Sequence, residues 1–218
     1  YLKIRNKAKP KFGYYINFED ISILSFSPEK FIGVKNNIIE SWPMKGTRAR
    51  SDNSKIDSML AKELKSSSKD FSEHLMILDL IRNDIGKISD NNTIKVDPLF
   101  HIESYPTVHQ MISRVYGNLL NGTMFIDVIK AMFPCGSVTG APKESSMEII
   151  DTLEEHTRCI YTGAIGHFTS IDEYEFNVAI RTLVSYATST YGSGGGIVWD
   201  SDSNEEYDEI HVKARVIK

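Results

Sequence analysis

Between residues 11 and 45, short runs of aromatic and β-branched residues alternate with turn residues, at 12–18, 21–26, 31–34 and 38–40. Such runs predict a meander of strands. The period then changes. Residues 51–68 are polar and charged, with Met59, Leu60 and Leu64 at helical spacing, and predict a surface helix and loop. From 69 to 85, Phe71, Leu75, Leu78 and Ile81 recur every three or four positions and Gly86 offers a stop, which predicts an amphipathic helix. Strands are predicted at 93–102 and 108–118, separated by Glu103-Ser104-Tyr105-Pro106, and a short helix at 124–132. Pro142 suits the first turn of a helix that Met147, Ile150 and Leu153 continue. Strands at 161–169, 175–187 and 197–199 and a last helix over 204–217 complete the pattern. Strand runs interrupted by helices, without strict βαβ alternation, predict an α+β fold with large antiparallel β-sheets. No internal repeat or low-complexity tract is visible.

Composition narrows this picture. A chain of 218 residues, 41% of them hydrophobic, can bury the core of one large domain spanning 1–218. The net charge is −4 and the Lys and Arg are scattered, so there is no electrostatic footprint for nucleic acid or anionic lipid. An anionic ligand must therefore be caught locally. Cys135 and Cys159 form neither a disulfide framework nor a C-x-x-C pair, and read as reduced thiols. No run reaches the length of a membrane span and no leader opens the chain, so a soluble cytoplasmic protein is expected. The start, Tyr1-Leu2-Lys3-Ile4-Arg5, has no initiator methionine and no helix cap, which suggests a fragment.

Candidate chemistry begins at Ser41-Trp42-Pro43-Met44-Lys45-Gly46-Thr47-Arg48. A lysine between a proline turn and a glycine has a restricted backbone and an N–H open to a ligand, although a plain strand-end turn has the same residues. Two acidic pairs share a spacing. Asp70-x-x-Glu73 and Glu206-x-x-Glu209 each project two carboxylates from one helical face. Facing each other they would suit Mg²⁺; separately they are acids at helix N-termini, favoured by the dipole. Lys213 stands four residues after Glu209, placed for a helix-surface pair or for the same pocket. Arg181 lies inside the apolar run from Val178 to Val184 and needs either an internal acid or a bound carboxylate. The loops 136–140 and 192–196 match no phosphate-binding signature, but their N–H groups and the hydroxyls of Ser137 and Thr139 could cradle an anion. Cys135 has no evident base partner, and His74 and His109 read as core histidines in apolar surroundings.

Taken in order, Ser27-Pro28-Glu29-Lys30-Phe31, Pro43-Met44-Lys45-Gly46-Thr47-Arg48, the run Glu73 to Asp84, the run Gly136 to Lys143, Ile180-Arg181-Thr182 and the run Gly194 to Asp202 resemble the chorismate-utilising enzymes. That family includes anthranilate, aminodeoxychorismate, isochorismate and salicylate synthases. The resemblance runs from about Phe12 to the end. It implies an anthranilate synthase component I-like sandwich of large antiparallel sheets with helices outside, of which the N-terminal part is missing here.

For the site, the resemblance implies Mg²⁺ held by Glu73, Glu206 and Glu209, with Asp70, one methylene shorter than the glutamate of many relatives, reaching through water. It implies that Arg181 and Tyr161 hold the enolpyruvyl carboxylate of chorismate, that Gly194, Gly196 and Lys213 close the pocket, and that Ser137 and Thr139 sit in the matching loop. Glu29 matches the acid that assists loss of the C4 hydroxyl, a role that needs a protonated carboxyl. Lys45 discriminates within the family. Anthranilate synthases usually carry alanine there, whereas Pro43-Met44-Lys45-Gly46-Thr47 follows the aminodeoxychorismate synthase pattern, with Gly46 and Thr47 among the substrate-binding positions. The implied reaction is attack of neutral Lys45 at C2 as the C4 hydroxyl leaves, then displacement by ammonia adding at C4, toward p-aminobenzoate and folate. Gln110 stands where anthranilate synthases have a histidine linked to pyruvate elimination, and glutamine transfers protons poorly. The adjacent His109 faces the other side of a strand. Ammonia would come from a separate glutamine amidotransferase subunit. Anthranilate synthase component I and a catalytically incomplete chorismate-binding fragment are the alternatives, the latter because the family's Gly-Asp-x-x-Gln-Val strand would lie upstream of Tyr1.

Overall fold

Proline and left-handed residues decide where strands leave one sheet for another in this chain. A computed structural model describes residues 1–105, 108–199 and 201–214. It begins with helix α1 (Leu2–Ala8), then strands β1 (Phe12–Phe18), β2 (Ile21–Ser27), β3 (Lys30–Lys35), β4 (Ile38–Trp42) and β5 (Met44–Ala49). Helices α2 (Ser54–Ser66) and α3 (Ser68–Gly86) follow, then β6 (Lys95–Val96), β7 (His101–Ser104), β8 (Val108–Ile112) and β9 (Val115–Asn118). The chain continues through α4 (Phe125–Met132), α5 (Lys143–Leu153), β10 (Ala164–Ser170), β11 (Glu173–Val178), β12 (Thr182–Ser185), β13 (Ser189–Tyr191) and α6 (Ser203–Ala214).

Three antiparallel sheets result, with strand orders β1-β2-β12-β13, β10-β11-β3-β4-β9-β6 and β5-β8-β7. The α+β class with large antiparallel sheets is borne out. The main core fills the space between the six-stranded sheet and helices α3 and α4, where Phe31, Ile32, Ile39, Val115 and Val178 meet Ile77, Leu78, Ile81, Ile85, Val128 and Met132. A smaller cluster of Ile23, Ile165 and Ala179 joins the four-stranded sheet to it.

Several predicted elements are divided or shifted. The strand expected at 108–118 is two strands in different sheets, because its partners β4 and β5 are themselves parted at Pro43; opposite that break the Ser113 N–H donates to the Pro43 carbonyl. The strand expected at 93–102 is interrupted at Pro98, which has no N–H, and at Phe100, whose φ of 51° is left-handed. The strand expected at 175–187 breaks at Arg181, also left-handed with φ 49°, where the chain passes from the six-stranded to the four-stranded sheet. Residues 197–199 form no strand. Pro106, Thr107, Asp200 and residues 215–217 of the predicted last helix lie outside the described residues.

The buried stripe of α3 is also rotated from its expected position. His74, Ile77, Leu78, Ile81, Asp84 and Ile85 face the core, while Phe71 and Leu75 are 40% and 44% exposed. Phe71 instead packs on Phe100, ring centroids 3.8 Å apart. Helix α1, which no cap announced, carries no buried residue and is anchored by Tyr1 stacking on Phe26.

Candidate active site

Glu29 and Arg181 occupy one corner of the fold. Glu29 lies in the bend between β2 and β3, and Arg181 in the bend between β11 and β12. Since β2 pairs with β12 and β3 with β11, both bends are made at the same place. The Val178 N–H donates to the Glu29 carbonyl and the Phe26 N–H to the Arg181 carbonyl, each at 3.1 Å. The Glu29 side chain is 5% exposed and its Oε1 has no partner among the described residues. Burial pushes its carboxyl up to about 7, against the opposing Ser137 hydroxyl and the charges of Lys45, Arg181 and Lys213. Burial lowers the Arg181 guanidinium from its ordinary value, with Tyr191, Glu29 and Tyr105 pulling the other way. Arg181 was expected within a strand, paired with an acid or a ligand; it makes no ion pair or side-chain hydrogen bond with any described residue. A half-buried guanidinium with no partner among the described residues is a place for a carboxylate.

The glycine run 192–196 is where the other groups meet. A Cβ on Gly192 would enter the Tyr161 ring, and one on Gly194 would stand 2.9 Å from the Tyr161 hydroxyl. On Gly195 it would be 2.7 Å from Glu206 Oε2, and on Gly196 3.1 Å from Lys45 Nζ. Four successive approaches of side chains to bare backbone explain the composition of this loop better than turn-making does. Helix α6 buries no residue and is tied to the same segment by polar contacts. Tyr191 Oη donates to the Lys213 carbonyl, Ser193 Oγ to the Ile210 carbonyl, and Lys213 Nζ to the Gly194 carbonyl at 2.9 Å.

Lys45 reaches this loop from β5. Its strand bulges at Gly46, where the register shifts between Lys45 opposite Met111 and Thr47 opposite Gln110. Gly46 has φ 71°, and a Cβ there would meet Leu64 at 2.7 Å and Asp70 at 2.9 Å. The glycine thus supplies both the left-handed turn of the bulge and the room for α3 to approach. Thr47 is exposed on β5, and Gln110 is 8% exposed on β8.

The whole of residues 1–218 matches the family model described as chorismate binding enzyme. The chain belongs to the chorismate-binding enzymes. It is 39% identical over 220 residues to aminodeoxychorismate synthase component 1 of Escherichia coli, covering 100% of this chain and 49% of the relative. It is 42% identical to the probable chloroplastic aminodeoxychorismate synthase of Oryza sativa, covering 99% of this chain and 24% of the relative. With anthranilate synthase component 1 of Saccharolobus solfataricus identity is 38%, over 100% of this chain and 52% of that protein. The crystal structure of anthranilate synthase component I from Streptococcus pneumoniae superposes with a TM-score of 0.89 at 35% identity, covering 98% of this chain and 47% of that one. The chain thus spans about half the length of the bacterial and archaeal relatives and about a quarter of the plant one. Among the described residues no helix is long and apolar enough to cross a membrane.

In this chorismate-binding enzyme the four acids at first read as one metal set do not behave alike. Asp70 is engaged by Arg48 Nη2 at 3.0 Å, and Glu209 is ion-paired with Lys213. Asp70 meets Arg48 through Oδ2 and Glu209 meets Lys213 through Oε1, so each keeps a second oxygen and remains a candidate ligand beside Glu73 and Glu206. Burial raises the Glu73 carboxyl; Lys45 and Lys69 lower it, and the charges of Asp70 and Glu206 raise it further. Glu206 accepts a bond from Ser201 Oγ at 2.6 Å. Among the described residues no three acids, histidines or cysteines converge closely enough to cage a metal unaided. Mg²⁺ takes a few carboxylate oxygens and completes its shell with water, so the four acids carry the donor chemistry that ion would need.

Ser137 and Thr139 lie in a single 3-10 turn (Gly136–Val138) and its cap rather than in the first turn of α5. The Thr139 hydroxyl donates back to the Cys135 carbonyl at 3.0 Å, which leaves its oxygen as an acceptor. The turn is secured by a pair that sequence reasoning passed over. Lys143 Nζ donates to Asp84 Oδ2 at 2.6 Å and to the Met132 carbonyl at 3.0 Å, joining two of the family motifs through a carboxylate that is itself buried. Opposite charges in two motifs were the only signal available for it. Cys135 is buried with its thiol pushed up to about 12 by burial, no nucleophile. His109 is not in the apolar setting expected of it, since Asp57 and Ser104 bracket its ring at 3.0 and 2.8 Å.

Proposed function

We propose that this chain aminates chorismate at C4 to give 4-amino-4-deoxychorismate, using Mg²⁺ and ammonia from a separate glutamine amidotransferase. The observation that carries the reading is the position of Lys45 Nζ against Gly196, with the buried Glu29 carboxyl and the Arg181 guanidinium, which has no partner among the described residues, near enough for their charges to act on one another. Anthranilate formation needs no lysine there.

Arg181, with the Tyr161 hydroxyl, takes the enolpyruvyl carboxylate, because a guanidinium presents a two-pronged donor to a planar anion. Glu73, Glu206 and Glu209, with Asp70 reaching through water, would hold Mg²⁺, which when bound supplies positive charge for the ring carboxylate. Glu29, with a carboxyl near 7, carries the proton that the departing C4 hydroxyl needs to leave as water. The Lys45 nitrogen adds through its lone pair at C2 as that C–O bond breaks and the ring double bonds shift. Ammonia then adds at C4, the double bonds shift back, and the C2–N bond to Lys45 breaks. The enolpyruvyl ether survives: Gln110 is a poor proton-transfer group, and His109 is committed to Asp57 and Ser104. The relatives called component 1 support a second component as the ammonia source, and neither Cys135 nor Cys159 is set up as a glutaminase nucleophile.

The test is incubation with chorismate, Mg²⁺ and high ammonium, reading aminodeoxychorismate through a lyase-coupled p-aminobenzoate assay and anthranilate by its fluorescence. Aminodeoxychorismate is expected, and anthranilate would overturn the reading. The second reading is a chain that binds chorismate without completing the reaction. Mg²⁺-dependent chorismate binding with no turnover would support it.

A further inference from the structure

Helix α3 is fastened to the β5–β8 pair at two points, and Glu73 lies between them. At one point Arg48 on β5 donates to Asp70 at 3.0 Å, while bare Gly46 lets the Asp70 carboxylate lie against the strand backbone. At the other, fully buried His74 brings Nε2 to 2.8 Å from Ser113 Oγ. Ser113 sits at the break where Pro43 parts β4 from β5. Its N–H donates to the Pro43 carbonyl at 3.3 Å, two residues before Lys45, and its Oγ accepts the Phe100 N–H at 2.8 Å. Asp70, Glu73 and His74 stand at i, i+3 and i+4, on one side of the helix.

The Ser113 hydroxyl, already an acceptor, has its own proton free for His74 Nε2. That tautomer satisfies both groups and leaves only the Nδ1 N–H, which has no partner among the described residues. An apolar side chain would fill the same space without orphaning a polar atom, so packing alone does not account for a histidine here. We propose that His74 is a positioning residue: through Ser113 it fixes the separation between Glu73 on α3 and Lys45 on β5. The proposal rests on the amination reading for its functional meaning, but the clamp itself is structural and can be read without turnover.

The experiment uses Ser113→Ala, His74→Gln, whose amide reaches the Nε2 position, and His74→Asn, whose amide reaches only Nδ1. Amide hydrogen exchange over residues 44–48 reads the clamp, calorimetric titration of Mg²⁺ in the presence of chorismate reads Glu73, and kcat and KM are measured where there is turnover. Ser113→Ala and His74→Asn are expected to speed exchange at 44–48, weaken Mg²⁺ binding several-fold and lower kcat about ten-fold with little change in KM, and His74→Gln to restore all of these. Unchanged exchange at 44–48 in folded Ser113→Ala would overturn the proposal. So would a loss of melting temperature with Mg²⁺ binding and kcat intact, or rescue by asparagine but not glutamine. Failure of the amination reading would appear separately, as absent aminodeoxychorismate in the wild-type protein alongside an intact exchange pattern.

Discussion

Lys45 Nζ faces Gly196 so closely that a methyl group there would stand 3.1 Å from the nitrogen. The crowded atom is the far end of a flexible side chain, which can move aside without disturbing the backbone. Gly196→Ala is therefore expected to leave the melting temperature nearly unchanged while lowering amination about ten-fold or more through a displaced amine. Comparing thermal unfolding with steady-state rates separates the two effects; a parallel fall in both would point to a structural glycine.

Lys45→Ala removes the attacking nitrogen itself. The amination rate should become undetectable or fall by several orders of magnitude, with chorismate binding retained because the carboxylate-holding groups remain. Turnover at the wild-type rate would eliminate the covalent role.

Glu29 should make stability and activity depend on pH. Its folded carboxyl is raised from 4.5 to about 7, so its contribution to stability is intact below the unfolded value and is lost as pH rises through 7. The loss amounts to about 3 kcal/mol. Urea unfolding at pH 5 and pH 8 should show Glu29→Gln gaining on the wild type at the higher pH. Amination by the wild type should decline above about pH 7 as the proton is lost, and the variant should aminate poorly at every pH.

Arg181 carries a half-buried charge with no described partner, which costs some folding energy that a bound carboxylate returns. Arg181→Gln is thus expected to be at least as stable as the wild type in thermal unfolding, while its Kd for chorismate, measured by calorimetry, rises about ten-fold or more. A destabilised variant with unchanged affinity would show that the guanidinium holds the fold instead.

Asp84, 2% exposed, meets exposed Lys87 through Oδ1 and forms a shielded pair with Lys143 through Oδ2. Breaking a buried pair from one side leaves the other charge uncompensated, so Asp84→Ala should lose about 3 kcal/mol or more in denaturant unfolding. Because the pair is shielded, raising the salt concentration should weaken the wild type little.

Much of the fold was legible locally. Strands β1 to β4, the helices α2 to α5 and most of α6 fall close to where periodicity and turn residues predicted them. Long predicted strands failed where a proline or a left-handed residue moved the chain to another sheet, at Pro43 with Ser113, at Pro98, and at Arg181. Phe71 and Leu75 fit a helical stripe as well as Ile77 and Ile85 do. Which stripe is buried depends on the sheet it meets, not on the helix.

The sequence by itself determined the family, through six ordered motifs, and the inventory of charged and glycine residues that any site must use. It could not say which charges meet across the fold. The Glu209–Lys213 pair was legible as neighbours on one helix, but Asp70 meets Arg48 only because α3 packs on β5, a contact between segments far apart in the chain. Glu29 and Arg181 meet only because paired strands bend at one corner, and burial there raises one group and lowers the other. Propensity and periodicity act over a few residues, whereas desolvation and charge pairing act between whatever the fold brings together. That is why Lys45 could be named from its motif, and only the tertiary structure set it against Gly196.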